Sequence, residues 1–391
     1  MKKKLALALA AAMLVGLFAG CSSSGSGSSA GGSDASGSGD GSTSQTGDGS
    51  AAPASDLRVG VFYYNYADAY ISTVRTAMDA ELDALGVEYQ NFDGQTNQAN
   101  QMDQINTAIT DGYNLLIVNI VENASPDAAQ NVVDAASAQG IPVIFFNRDF
   151  DASVLQSYED SAFVGTDPAE AGHMQGQAIG EYLVANYDAV DLNGDGEISY
   201  VMFKGQEGNP EAEYRTQYGV EDADAILEEA GKPALKFYDD SNTDKYLVDT
   251  TGAWSAQAAT DYMNTILGQY NDGNGNMIEL VIANNDGMAE GAIAALQTVG
   301  YNVEGGDKTI PVYGVDALAS AVEKIDAGIM TGTVKQDGEA MAATIATLVQ
   351  NVVDGEALMA NTDEYKLAVT EEGETIPNKI QVPYAMYTAE G

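Results

Sequence analysis

Val143-Ile144-Phe145-Phe146-Asn147 is a short apolar run closed by an amide, and the same form returns along the chain. Val281-Ile282-Ala283-Asn284 leads into Asn285, Val312 to Val315 leads into Asp316, and the run from Leu57 to Tyr64 is followed after a few residues by Asp68. Between such runs lie longer stretches, among them Ile71 to Leu85, Gln98 to Thr110, Ala169 to Asn186 and Glu211 to Ala230, whose apolar residues recur at three- and four-residue spacing. Strands alternating with helices imply parallel sheets covered by helices, an α/β class. Ligands of open parallel sheets bind beyond the carboxyl ends of the strands, where Asp68, Asn147, Asn285 and Asp316 would gather. Taken singly, each is accounted for as a turn residue or helix N-cap; four together favour a site.

The chain has 391 residues, Lys+Arg 16 against Asp+Glu 58, a formal charge of -42, one Cys and one His. A body of this length is too long for one such sheet, so two lobes are expected. The charge repels phosphate backbones and argues against nucleic-acid binding. One Cys forms no internal disulfide, and one His supplies no multi-histidine metal site. Carboxylates, amides and aromatics are left as the working chemistry.

Lys2, Lys3 and Lys4 precede an apolar run from Leu5 to Phe18 that ends in Ala19-Gly20-Cys21. This is the pattern of a secretory signal over residues 1–20. The small pair before the lone Cys resembles a bacterial lipoprotein box, although Phe18 stands where Leu is usual. Cys21 is then the expected lipidation point, and residues 21–56, rich in Gly and Ser, a flexible tether. The expected location is extracytoplasmic, held to the cell membrane by the lipid anchor only.

Asp191-Leu192-Asn193-Gly194-Asp195-Gly196-Glu197-Ile198-Ser199 carries the opening of an EF-hand calcium loop. Oxygens fall at Asp191, Asn193 and Asp195, Gly196 allows the turn, Glu197 offers a backbone carbonyl, and Ser199 holds the ninth position. The twelfth position, normally a bidentate Glu, is Met202. The loop is either a solvated acidic turn or is completed by a distant carboxylate.

From Arg58 to Tyr387 the chain resembles the galactose/glucose-binding proteins of bacterial ABC sugar transporters, which are type I periplasmic binding proteins. The resemblance rests on Arg58-Val59-Gly60-Val61, Val143 to Asn147, Val164-Gly165-Thr166-Asp167 and Asp191 to Ile198. It continues through Lys204-Gly205 with Pro210 and Arg215, Val281 to Asp286, Val312 to Ala317, Gly332-Thr333-Val334 and Val382-Pro383-Tyr384. It implies two Rossmann-like lobes joined by a three-segment hinge: 57–165 with 336–381, and 166–335 with 382–391. Crossings are implied near Gly165–Pro168, Val334–Gln336 and Val382. It also implies that Glu279 closes the calcium loop, and that Tyr70, where Phe is usual, and Trp254 stack on a pyranose. Asp68, Asn147, Arg215, Asn285 and Asp316 match hydroxyl-binding positions directly. Asn209, Glu211 and Gln336 stand where His, Asp and Asn are familiar.

The implied function is a monomeric, non-enzymatic receptor that delivers galactose or glucose to an ABC permease, with calcium as a structural ion and a chemoreceptor as a further partner. A pentose, a glycoside or a signalling sugar in the same fold is the alternative. A carbohydrate-active enzyme would need paired carboxylates, and nothing in the spacing of Asp68, Glu211 and Asp316 selects a pair.

Overall fold

A computed structural model of the chain describes residues 56–370 and 372–389. The signal segment, Cys21 and nearly all of the tether lie outside the described residues. The first lobe begins with β1 (Arg58–Tyr63), α1 (Ala69–Leu85), β2 (Glu88–Asp93), α2 (Gln98–Thr110) and β3 (Leu115–Val118). It continues with α3 (Pro126–Ser137), β4 (Val143–Phe146), α4 (Ala152–Gln156) and β5 (Ser161–Gly165). The second lobe holds α5 (Pro168–Val190), β6 (Ser199–Lys204), α6 (Pro210–Glu229), β7 (Lys236–Phe237), β8 (Leu247–Val248) and α7 (Ala256–Leu267). After these come β9 (Leu280–Ala283), α8 (Asp286–Thr298), β10 (Val312–Asp316), α9 (Ala319–Asp326) and β11 (Gly332–Gln336). The chain then returns for α10 (Gly338–Val353), β12 (Lys366–Val369) and β13 (Thr375–Gln381), and ends in β14 (Tyr384–Thr388).

The first sheet runs β12-β13-β5-β4-β3-β1-β2 and the second β14-β11-β10-β9-β6-β7, with β8 also paired to β6. Every pairing is parallel except β12 with β13 and β11 with β14. The central strands β3, β4 and β9 are buried along their whole length, as strands covered by helices on both faces must be. The chain passes between lobes three times: at Thr166–Asp167 after β5, at Asp337 after β11, and at Val382–Pro383 after β13. The run from Ile380 to Met386, which reads as one strand, is therefore two strands of different sheets. Gln336 closes β11 in the second sheet, one residue beyond the expected return. Pro383 offers no N–H to a ladder, which suits it to a link rather than a strand centre.

The second lobe is stiffened where α5 lies on α6. Gly172, Gly176 and Gly180 recur every fourth residue on α5, and a Cβ at Gly176 would stand 2.2 Å from the Tyr218 carbonyl oxygen. His173, on the same helix, stacks on Tyr218 at 3.9 Å between ring centroids, with its Nδ1 2.7 Å from Asp222 Oδ2. Ala is the better helix former by about 1 kcal/mol, but backbone cannot yield as a flexible side chain can. Gly176→Ala is therefore expected to cost about 1–3 kcal/mol net, read as a lowered thermal midpoint with an unchanged far-ultraviolet circular dichroism spectrum.

Candidate functional site

Between the lobes lies a cavity walled by both, a concave place of the kind small-molecule ligands use. Asp68, Tyr70 and Asn147 reach it from the first lobe. Asn209, Glu211, Arg215, Trp254, Asn285, Asp316 and Gln336 reach it from the second, so all ten residues named from the sequence line one cavity. Tyr64, Ile71 and Arg148 line it as well. The sequence reading missed these three, although Tyr64 follows β1 and Arg148 follows Asn147 at strand ends that were already singled out. Arg148 sits over the Tyr64 ring at 4.2 Å, and the Tyr64 hydroxyl donates to Asp68 Oδ2 at 2.5 Å.

Cap and site prove not to be alternatives. Asp68 Oδ1 accepts the Ile71 N–H, Asn209 Oδ1 that of Ala212 and Asn285 Oδ1 that of Met288, each starting a helix. The same side chains line the cavity, so each helix start fixes a cavity group in place. Asn147, Trp254 and Asp316 are held differently, in left-handed backbone with φ of 64°, 56° and 124°. Such conformations cost on the order of 1–3 kcal/mol for a non-glycine residue and persist only where neighbours enforce them. At Asp316 the enforcing group is buried Asp286, which accepts the Leu318 N–H at 2.8 Å and the Thr333 hydroxyl at 2.6 Å. At Trp254 it is Gly205, where a Cβ would fall 2.1 Å from the indole ring.

Six side-chain atoms of the lining are buried without a protein partner: Tyr70 Oη, Arg148 Nε, Glu211 Oε2, Arg215 Nε, Trp254 Nε1 and Gln336 Nε2. Among the described residues the Asp316 carboxylate accepts no hydrogen bond. Each unsatisfied buried group costs about 1–3 kcal/mol, and here four are N–H donors, beside one hydroxyl and one carboxylate oxygen. Burial pushes the Asp316 carboxyl well above the usual range against the opposing charge of Arg215, and burial raises Asp68 too. Glu211 is pushed up to about 6, by burial first and then by the charge of Asp149, with Arg215 opposing. A polyhydroxyl ligand supplies what is missing, since each hydroxyl both donates and accepts.

The lobes are bonded to each other beside the cavity. Arg148 Nη2 donates to Val121 O at 3.0 Å and to Asn123 Oδ1 at 3.2 Å within the first lobe, and to Gln206 Oε1 of the second. Asn209 Nδ2 donates to Asn123 Oδ1 at 3.2 Å, and the Asp149 N–H to Glu211 Oε1 at 3.1 Å. Asn209 is thus committed at both ends, to its helix and to the opposite lobe, while Glu211 keeps one oxygen for the cavity.

Away from the cavity, Asp191, Asn193 and Asp195 fold their loop by accepting the N–H groups of Gly194, Asp195 and Glu197 at 2.7–2.9 Å. Glu279, distant in sequence, reaches in to accept from the N–H groups of Leu192 and Ser199, both at 2.8 Å, and from the Ser199 hydroxyl at 3.0 Å. The Glu197 carboxylate turns out to Lys236 at 2.8 Å, which leaves its backbone carbonyl as that residue's offer to the loop. Burial raises the Glu279 carboxyl. Among the described residues no three His, Cys, Asp or Glu side chains gather closely enough to hold a metal by themselves. A cation here would depend on the amide, hydroxyl and carbonyl oxygens beside the carboxylates. Such an all-oxygen set suits a hard ion.

A family profile described as periplasmic binding protein domain matches residues 59–357. The chain is 36% identical over 317 residues to a D-galactose/methyl-galactoside binding periplasmic protein of Haemophilus influenzae, covering 81% of this chain and 87% of that one. It is 26% identical over 333 residues to a putative rhizopine-binding protein of Rhizobium meliloti, covering 84% and 89%. In fold it is similar to an ABC transporter solute binding protein of Clostridium phytofermentans with bound β-D-glucose, at a TM-score of 0.66 and 20% identity, covering 85% and 94%. A Bacillus halodurans counterpart with bound myo-inositol gives 0.62 and 24%, covering 86% and 96%.

Closure has a proton cost that can be measured. The closed, ligand-free cavity holds the Glu211 proton to about pH 6 against an ordinary 4.5, worth about 2 kcal/mol. This preference for closure is fully present below the ordinary value and is lost as pH rises through 6. The radius of gyration of the ligand-free protein is expected to increase between pH 4.5 and 7.5. Glu211→Gln should shrink that increase without abolishing it, because Asp68 and Asp316 shift in the same direction.

Proposed function

The chain belongs to the type I periplasmic sugar-binding proteins, and on that footing we propose that it captures a hexose, galactose or glucose, between its lobes and delivers it to an ABC importer. The family binds and carries solutes rather than converting them. One observation carries the hexose reading: six unpartnered polar atoms and the unbonded Asp316 carboxylate surround a cavity to which each lobe adds an aromatic ring, Tyr70 and Trp254. A pyranose has apolar C–H faces that suit the rings, and hydroxyls on its rim that suit the polar atoms. The galactoside-binding relative supports the same reading. Calorimetry with D-galactose and D-glucose should show saturable binding by the wild-type protein. Asp316→Asn should weaken it by roughly tenfold to a hundredfold, as expected when a buried ligand hydroxyl loses its acceptor. No heat with either sugar, and heat with a pentose or inositol instead, would replace the hexose with another polyol.

Calcium belongs to the same proposal. Asp191, Asn193, Asp195 and Glu279 would hold it through side-chain oxygens and Glu197 through its carbonyl, with Ser199 at the edge. The ion would neutralise charge that the loop otherwise concentrates. Burial first, and then the charges of Asp191, Glu279, Asp195 and Glu197, raise the neighbouring Tyr187 phenol. A resident ion stabilises the fold by mass action. Adding a chelator should therefore lower the thermal midpoint, and Glu279→Gln should lower it in buffer while erasing the chelator's further effect. Anchoring at Cys21, outside the described residues, would keep the receptor beside its permease, and a chemoreceptor remains a proposed second reader of the closed form.

A further inference from the structure

Each of the three crossings between lobes places one buried polar side chain at the same point. Thr166 lies in the first crossing, Gln336 closes β11 at the second, and Tyr384 opens β14 at the third. Gln336 and Tyr384 are direct partners in the β11–β14 ladder. Arg215 of α6 bonds two of them directly and reaches the third through Tyr384. Its Nη2 donates to Tyr384 Oη at 2.8 Å and to Gln336 Oε1 at 3.4 Å, and Tyr384 Oη is also bonded by the Thr166 hydroxyl at 2.9 Å. Its Nη1 donates to the Asn284 carbonyl at 2.9 Å, next to the cavity residue Asn285. Its Nε has no protein partner, and Arg215 lines the cavity. The first and third crossings are further tied by the Val382 N–H donating to Gly165 O at 2.7 Å.

We propose that Tyr384 and Thr166, which do not line the cavity, are positioning residues that bind the Arg215 guanidinium to the three hinge crossings, so that what occupies the cavity at Arg215 Nε is felt at the hinge. A guanidinium carries five N–H groups in one rigid plane. Fixing Nη2 to the hinge and Nη1 to the Asn284 carbonyl leaves Nε at the cavity with little rotational freedom to lose on binding. The crossings are one or two residues long, so few dihedral angles absorb the lobe rotation. Loosening the Tyr384 hydroxyl would free the guanidinium and the crossings together. The buried Thr166 hydroxyl would lose its partner at the same moment.

The hinge arm of this inference is independent of the ligand; only its affinity arm rests on the sugar-binding reading. Hydrogen exchange of the ligand-free protein is measured at Gly165 to Asp167, Gln336 to Asp337 and Val382 to Tyr384, for wild type and Tyr384→Phe. Exchange is expected to quicken about tenfold at all three crossings, including Thr166–Asp167, and to stay unchanged in α2 and α7. Thr166→Val should act alike, Thr166→Ser should restore protection, and the double variant should exceed neither single change. In the affinity arm, D-galactose should bind Tyr384→Phe about tenfold more weakly. Quickened exchange confined to Val382 to Tyr384, or a lowered thermal midpoint with wild-type exchange at Thr166–Asp167, would overturn the proposal. If wild type binds no D-galactose, the sugar reading fails while the exchange pattern still decides the hinge role.

Discussion

A polar atom buried without a partner is expensive, and among the described residues half of the twelve such side-chain atoms lie around one cavity where two lobes meet. That constraint shapes the rest of the structure. Open, the lobes leave those atoms to water; closed and empty, they strand them at a cost of several kcal/mol; closed on a suitable polyol, the groups are paired again. The lobes' own bonds beside the cavity, Arg148 to Gln206, Asn209 to Asn123 and Asp149 to Glu211, are fewer than the six stranded atoms they would have to offset. Ligand and closure are therefore linked thermodynamically, in that each makes the other favourable.

The parallel sheets explain how the groups come together. All central strands of a lobe end on the same side, and the next helix begins there. A side chain that caps such a helix stands at the strand ends, which is how Asp68, Asn209 and Asn285 serve both tasks. Where no helix start does the positioning, the backbone is bent into left-handed conformations, at Asn147, Trp254 and Asp316. Asp286 holds the last of these from a buried position, so a carboxylate with no place in the cavity wall still decides where one of its acceptors points. The same geometry sets the chemistry. Arg148 and Arg215 face Asp68, Glu211 and Asp316 in a water-poor space, so small displacements of charge there matter more than the large charge carried on the surface.

Much of this was legible in one dimension. The apolar run at Val143 to Phe146 became a strand with unshifted bounds, because a short apolar run between helix-period segments has no other stable place in an α/β lobe. Four cavity residues, Asp68, Asn147, Asn285 and Asp316, were legible because strand ends and helix starts are local signals; resemblance supplied Tyr70, Asn209, Glu211, Arg215, Trp254 and Gln336, which no local pattern singles out. Tyr64 and Arg148 were missed for the opposite reason: an aromatic beside a strand and an arginine beside an amide carry no signal until the opposite lobe is in place. The run from Ile380 to Met386 read as one strand because periodicity cannot show that its two halves pair in different sheets.

The order of residues by itself determined the fold class, the loop that begins at Asp191 and the set of groups available for binding, since these depend on spacing along one chain. Only the tertiary structure decided which groups are left unpaired, which loop groups Glu279 bonds, and that Arg215 bonds two crossings and reaches the third through Tyr384. Those are relations between segments up to 218 residues apart, as Thr166 and Tyr384 are. They come from the burial that lobe packing imposes, and burial is a property of the assembled interior that no stretch of sequence contains.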